Sequence, residues 1–246
     1  MPVSDAELIS AWTRVLRLSN LQEGQVVTVL TSQATHPQTM RTAIAAAGML
    51  GARVNRLDLP PVNADKALSR DSLAYLGTTP LTGNPAAIAA LKASDLVLDL
   101  MTLLFSPEQA EILESGTKIL LAVEPPEVLV RMVPTEADRD MVNEAAAMLE
   151  KASEMHVTSA AGTDVRFRLG DLHVVREYGF VDLPGRWDHW PSGFSAVYPN
   201  EGSAEGRVVF DVGDILLPQK YYLSTPIELT IEKGYVRDIR GGIDAE

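Results

Sequence analysis

Residues 96–123 read LVLDLMTLLFSPEQAEILESGTKILLAV, and their pattern decides the fold. Leu96–Met101 is a short apolar run. Pro107–Glu114 follows with helix-forming residues and stops before Gly116, and Lys118–Val123 is a second apolar run. Continuous apolar runs of this length fit strands buried on both faces, and a helix between two of them is the crossover of a parallel pair.

The same grammar extends outward. Val26–Leu30 is a β-branched run, residues 37–50 open on Pro37 and end at Gly51 as a helix, and Ala52–Leu59 is a strand closed by Pro60-Pro61. Pro85–Ala93, 125–132 and 135–152 read as further helices. At the start, Ser4 and Glu7 have capping-box spacing, and Leu8, Ile9, Trp12, Val15 and Leu16 recur at helical intervals. Strands alternating with helices predict a doubly wound α/β fold with a mostly parallel sheet. Ligands of such sheets sit outside the carboxyl ends of the strands, here Thr31–His36, Met101–Ser106 and Val123–Glu127.

Beyond residue 153 the pattern changes to short strands: Met155–Ser159, Asp164–Leu169, Gly206–Asp211, Ile227–Ile231 and Tyr235–Ile239. Gly162, Gly213 and Gly234 stand at turn positions, and Glu232-Lys233-Gly234 signals a hairpin. The expected organisation is a Rossmann-like α/β domain over 1–152. A second, strand-rich α+β domain of catalytic type follows over 153–246, expected to be incomplete at its C-terminus.

Composition narrows the function. Of 246 residues 46% are hydrophobic and 22% charged, which is globular rather than disordered or fibrous. The formal net charge is −12, and no cluster of cations appears, which argues against nucleic-acid binding and adhesion to anionic membranes. The absence of Cys removes disulfides, thiolate nucleophiles and iron–sulfur ligation. No apolar run approaches the ~20 residues of a membrane span, and the start lacks signal-peptide character, so a cytoplasmic protein is expected. There is no local His/carboxylate metal motif, no glycine-rich phosphate loop and no Gly-x-Ser-x-Gly elbow.

The densest polar and aromatic cluster is Pro184-Gly185-Arg186-Trp187-Asp188-His189-Trp190-Pro191-Ser192-Gly193-Phe194, which reads as a rigid loop. It sets aromatic faces beside an imidazole, the natural acid/base near neutrality. An equally open reading is a Trp-anchored structural loop. His36, between Thr35 and Pro37 at a strand-to-helix turn, either touches a ligand or serves the helix entry. Glu177 either orients His189, hydrogen-bonds a substrate or is a solvated carboxylate.

Three segments carry a family resemblance: Ala122-Val123-Glu124-Pro125-Pro126-Glu127-Val128-Leu129, the Pro184–Phe194 string, and Pro199-Asn200-Glu201-x-Ser203-Ala204-Glu205-Gly206. Together they resemble the 2,5-dihydroxypyridine 5,6-dioxygenases of nicotinate degradation, and the likeness covers nearly the whole chain. That family is similar in fold to the thermophilic-type leucyl aminopeptidases, whose metal-binding Glu follows a Pro-x-Gly. Here Phe194 follows Pro191-Ser192-Gly193, and an apolar ring binds no cation.

The resemblance implies a non-haem Fe(II) enzyme that opens 2,5-dihydroxypyridine with O2 to give N-formylmaleamate. It implies His189 as the acid/base and Glu177 as its partner, with Leu104, Phe105, Arg186, Trp187 and Trp190 at the substrate. The family's iron ligands, a lone His and a His-x-Asp pair, are expected beyond the position matching Glu246, so no residue of this chain is assigned to the metal. The expected partners are a small aromatic substrate, O2 and further copies of the chain. Two other functions remain: a metal-free protein that binds small aromatics or acts as a scaffold, and an aminopeptidase-like metallohydrolase.

Overall fold

The computed structural model describes residues 2–60, 79–103, 106–216 and 221–246. The fold is mixed α/β, with a parallel sheet and a separate antiparallel, strand-rich one. The chain divides into two compact units, one of residues 1–142 with 177–194, the other of 143–176 with 195–246.

The first unit is built on β1 (Val26–Thr31), β2 (Arg53–Asp58), β3 (Leu96–Asp99), β4 (Lys118–Leu121) and β8 (Trp187–His189). Their order is β2-β1-β3-β4-β8, and every pairing is parallel. Alternate residues of each strand enter different cores. Val27, Val29, Leu96, Leu98 and Leu120 pack with Leu8, Trp12, Val15 and Leu16 of α1 (Asp5–Leu18) and with Ala43, Ala46 and Ala47 of α2 (Pro37–Met49). Leu30, Val97 and Ile119 turn to the opposite face and pack with Leu91 of α3 (Pro85–Lys92) and Ile112 of α4 (Pro107–Glu114). Burial on both faces is why the strands read as unbroken apolar runs.

Helix entries follow the sequence signals. Ser4 and Glu7 form the reciprocal capping box, and Asn84 and Ser106 each accept an amide at the start of α3 and α4. Two further helices are α5 (Pro126–Arg131) and α6 (Glu136–Lys151), so residue 152 directly follows α6. No helix among the described residues is long and apolar enough to cross a membrane.

The second unit holds an antiparallel sheet ordered β14-β13-β10-β6-β5, made of β5 (Glu154–Thr158), β6 (Asp164–Arg168), β10 (Glu205–Phe210), β13 (Ile227–Glu232) and β14 (Tyr235–Gly241). The hairpin between β13 and β14 turns on Lys233 (φ 52°) and Gly234 (φ 78°), the doubly left-handed turn that suits twisted strands. β7 (Val174–Glu177) with β9 (Phe194–Val197) and β11 (Ile215–Leu216) with β12 (Tyr221–Tyr222) form small two-stranded sheets.

The structure corrects one local reading. Pro184–Phe194 is not loop throughout, because Trp187–His189 is a strand that extends the parallel sheet beyond β4. Ile119 N–H donates to Arg186 O at 2.9 Å and Trp190 N–H donates to Leu121 O at 2.8 Å, fixing its register.

Candidate active site

The candidate site lies at the carboxyl ends of the parallel strands and begins with Asp188. The side chain of Asp188 is fully buried. One carboxylate oxygen accepts from Tyr178 N–H at 3.0 Å and Arg186 Nη2 at 2.6 Å. The other accepts from Gly179 N–H at 3.1 Å and His189 N–H at 2.7 Å. Burial pushes its pKa up, and the Arg186 guanidinium and the amides pull it back. Arg186 also donates to Phe180 O and lies 3.8 Å from the centre of the Tyr178 ring. This cluster ties the turn after β7 to β8, so that His189 is delivered at a fixed point beside Leu121 of β4.

His189 is half-buried, and its Nε2 is shielded from solvent without a hydrogen-bond partner among the described residues. Burial lowers its pKa, against the opposing charge of Glu124 just past the end of β4, so the imidazole is neutral at pH 7. A neutral, shielded ring nitrogen with no partner among the described residues is placed to exchange a proton with a bound molecule.

Glu177, at the end of β7, is only 7% exposed. Burial first, then the Asp188 charge, raises its pKa to about 7, and Ser192 Oγ donates to it at 3.4 Å. No hydrogen bond joins Glu177 to His189 among the described residues, so Glu177 takes its orientation from Ser192. Asp188 touches both, accepting the His189 N–H and acting by its charge on Glu177, and its residue type alone did not mark it in the sequence.

The aromatic residues separate. Trp190 is fully buried, donates Nε1–H to Met132 O at 2.9 Å, and meets Trp12 edge-on with ring centres 4.9 Å apart. It anchors β8 to the core under α1. Trp187 is partly buried against the opposite core. Leu104 and Phe105 lie outside the described residues.

Strand order reverses between β1 and β3, where parallel sheets open a crevice. A cleft of about 370 Å³ occupies that position, lined by the chain after β1, β3 and β4 and including His36 and Glu124. Asp99, fully buried, closes β3 directly before the lining residues Leu100, Met101 and Thr102. Its carboxylate accepts from the amides of Met101, Thr102 and Leu103, and burial lifts its pKa to about 6. The sequence signal for this cleft was its location at the strand ends. Nothing in the local residues singled out Asp99 or Thr39. Among the described residues no three His, Asp or Glu side chains gather to hold a metal ion.

Residues 7–246 match the family described as NicX, 2,5-dihydroxypyridine 5,6-dioxygenase. A curated 2,5-dihydroxypyridine 5,6-dioxygenase of Pseudomonas putida KT2440 is 53% identical over all 246 residues, which span 70% of that protein. A solved structure of 2,5-dihydroxypyridine dioxygenase from the same organism superposes with a TM-score of 0.95 at 52% identity, covering 99% of this chain and 70% of that one. AmpT from Thermus thermophilus superposes with a TM-score of 0.57 at 16% identity, over 98% and 72% of the two chains, and shares the fold. With the family model matching nearly all of this chain, the chain belongs to the 2,5-dihydroxypyridine 5,6-dioxygenases.

Proposed function

We propose that this protein opens the ring of 2,5-dihydroxypyridine with O2, placing both oxygen atoms in N-formylmaleamate, as an Fe(II)-dependent, cytoplasmic and homo-oligomeric enzyme of nicotinate catabolism. One observation of this chain carries the acid–base part: the buried, unpartnered Nε2 of His189 at the carboxyl end of β8. Fe(II), when bound, supplies open positions at which substrate and O2 meet. The described residues do not by themselves fit an iron centre, so what is proposed for them is proton chemistry and recognition.

His189 takes the proton of a ring hydroxyl, which leaves the ring electron-rich for attack by O2, and returns it as the ring opens. The Glu124 carboxylate favours the imidazolium formed in between. Glu177, with its pKa near neutrality, holds or releases a proton at the substrate's other polar group. Arg186 and Trp190 serve the substrate through β8, the first by neutralising Asp188 and the second by fixing the strand to the core. Trp187 offers an aromatic face to the flat ring.

Oxygen uptake by the native protein, supplied with Fe(II) and 2,5-dihydroxypyridine, tests the proposal. One O2 consumed per ring, with both atoms of labelled O2 recovered in the product, is the expected result. Binding of the ring without oxygen uptake would overturn it in favour of a metal-free aromatic-binding protein. Release of amino acid from a leucyl anilide with added Zn2+ or Co2+ would overturn it in favour of a peptidase.

A further inference from the structure

The cleft between β1 and β3 contains a polar group that nothing among the described residues satisfies. Thr39 is 2% exposed, lines the cleft, and its Oγ1 has no hydrogen-bond partner among the described residues. A buried hydroxyl left unpaired is destabilising, and native structures rarely keep one without use. Thr39 stands in the first turn of α2, a 13-residue helix whose amino end is unusually bare. His36 at the N-cap makes no side-chain bond to the helix, and Pro37 has no N–H, so the amides of Gln38 and Thr39 lack the capping partner that most helices provide. The positive end of the helix dipole and an orphan hydroxyl therefore point to one acceptor, preferably charged.

The remaining lining limits what that acceptor belongs to. Glu124 from the turn after β4 and Glu127 from the first turn of α5 line the same cleft, so a small dianion would meet two carboxylates, and a wholly apolar ring would leave Thr39 unsatisfied. A molecule with an acidic hydroxyl at one edge and hydrogen-bond donors at another matches both ends. At about 370 Å³ the cleft holds one planar ring. Glu124 is also the charge that acts on His189, which links the cleft to the acid–base residue.

We propose that this cleft receives the hydroxypyridine substrate with one ring hydroxyl, as its phenolate, at the amino end of α2, where Thr39 Oγ1 donates to it. The inference rests on the function proposed above and makes Thr39 a specificity-determining residue for that reaction.

Thr39→Val in the native protein, with Thr39→Ser as the conservative control, tests it. Binding of 2,5-dihydroxypyridine is measured by calorimetry without O2, and KM and kcat by oxygen uptake. Loss of a hydrogen bond to a charged partner predicts a rise of about tenfold in both Kd and KM for Thr39→Val. The expected kcat stays within about twofold, and Thr39→Ser restores affinity. The melting temperature of Thr39→Val should hold or rise, because valine removes the unpaired hydroxyl and keeps the shape, so weaker binding cannot be blamed on unfolding. Unchanged Kd in Thr39→Val overturns the inference, even if the wild type consumes O2. A tenfold loss of binding in a protein that consumes no O2 supports the cleft and overturns the function instead.

Discussion

Replacing Asp188 by Asn is an isosteric change of one atom, and the structure says it should be severe. If the new amide oxygen keeps the bonds from Gly179 and His189, the NH2 group must face Tyr178 N–H and Arg186 Nη2, both donors. The Tyr178 amide, left unsatisfied in a buried place, costs about 1–3 kcal/mol. Arg186, whose side chain is 16% exposed, loses its counter-ion, and breaking a buried pair costs about 3–5 kcal/mol. Its contacts with Phe180 O and the Tyr178 ring soften that loss, so about 4 kcal/mol in total is expected. Urea unfolding followed by tryptophan fluorescence should place the midpoint roughly 1–2 M below that of the wild type. The double variant Arg186→Met with Asp188→Asn should be less destabilised than Asp188→Asn alone, because it removes the stranded charge. A midpoint for Asp188→Asn equal to the wild type, or strict additivity in the double variant, would refute the account of Asp188 as the centre of this cluster.

His189→Ala should lower turnover by about 10²–10⁴ in oxygen-uptake assays, the usual worth of a general acid/base, and wild-type turnover would remove His189 from the reaction. Glu177 has a folded pKa of about 7 against an ordinary 4.5, so the native state binds the extra proton between those values. Its contribution is present below about pH 4.5 and is lost as pH rises through 7, at most about 3 kcal/mol. Glu177→Gln should therefore gain in melting temperature relative to wild type at pH 8 but not at pH 4.5, and a pH-independent difference would contradict the shift. Gly185 leads into β8 with φ 68°, and a Cβ there would stand 2.8 Å from Leu113 O. Gly185→Ala should melt lower than Gly116→Ala, whose φ is 93° but whose Cβ meets open space; equal losses would show that strain alone, not crowding, governs this turn.

The parallel sheet was legible because its strands are buried on both faces. Leu96–Asp99 and Lys118–Leu121 declare themselves by composition, and Ser4/Glu7 and Lys233-Gly234 by the specific backbone groups they satisfy. β8 was not legible. Trp187-Asp188-His189 has no apolar run, and what makes it a strand is pairing with β4 in the register Leu121↔His189, 68 residues apart and beyond the reach of any local pattern. Within the candidate site His189 and Glu177 stood out by residue type. Asp188 looked like one acid among many, since its meaning lies in four donors brought together by tertiary structure. Thr39 carried no signal, because an unpartnered hydroxyl is a property of its surroundings.

The place of β8 in the chain bears on how the protein is made. β4 is complete at Leu121, yet its outer partner leaves the ribosome only with Trp187–His189, after much of the second unit's first strands. At 5–20 residues per second the interval lasts on the order of several seconds to ten or more. During that time the backbone groups of an apolar strand stand open to any neighbouring nascent chain. The strand that finally closes the edge is three residues long, with a buried carboxylate at its middle, a poor template for further pairing. β8 thus serves as a late-arriving stopper for the sheet. Cells making Asp188 variants should show their excess loss in newly synthesised chains rather than in mature protein.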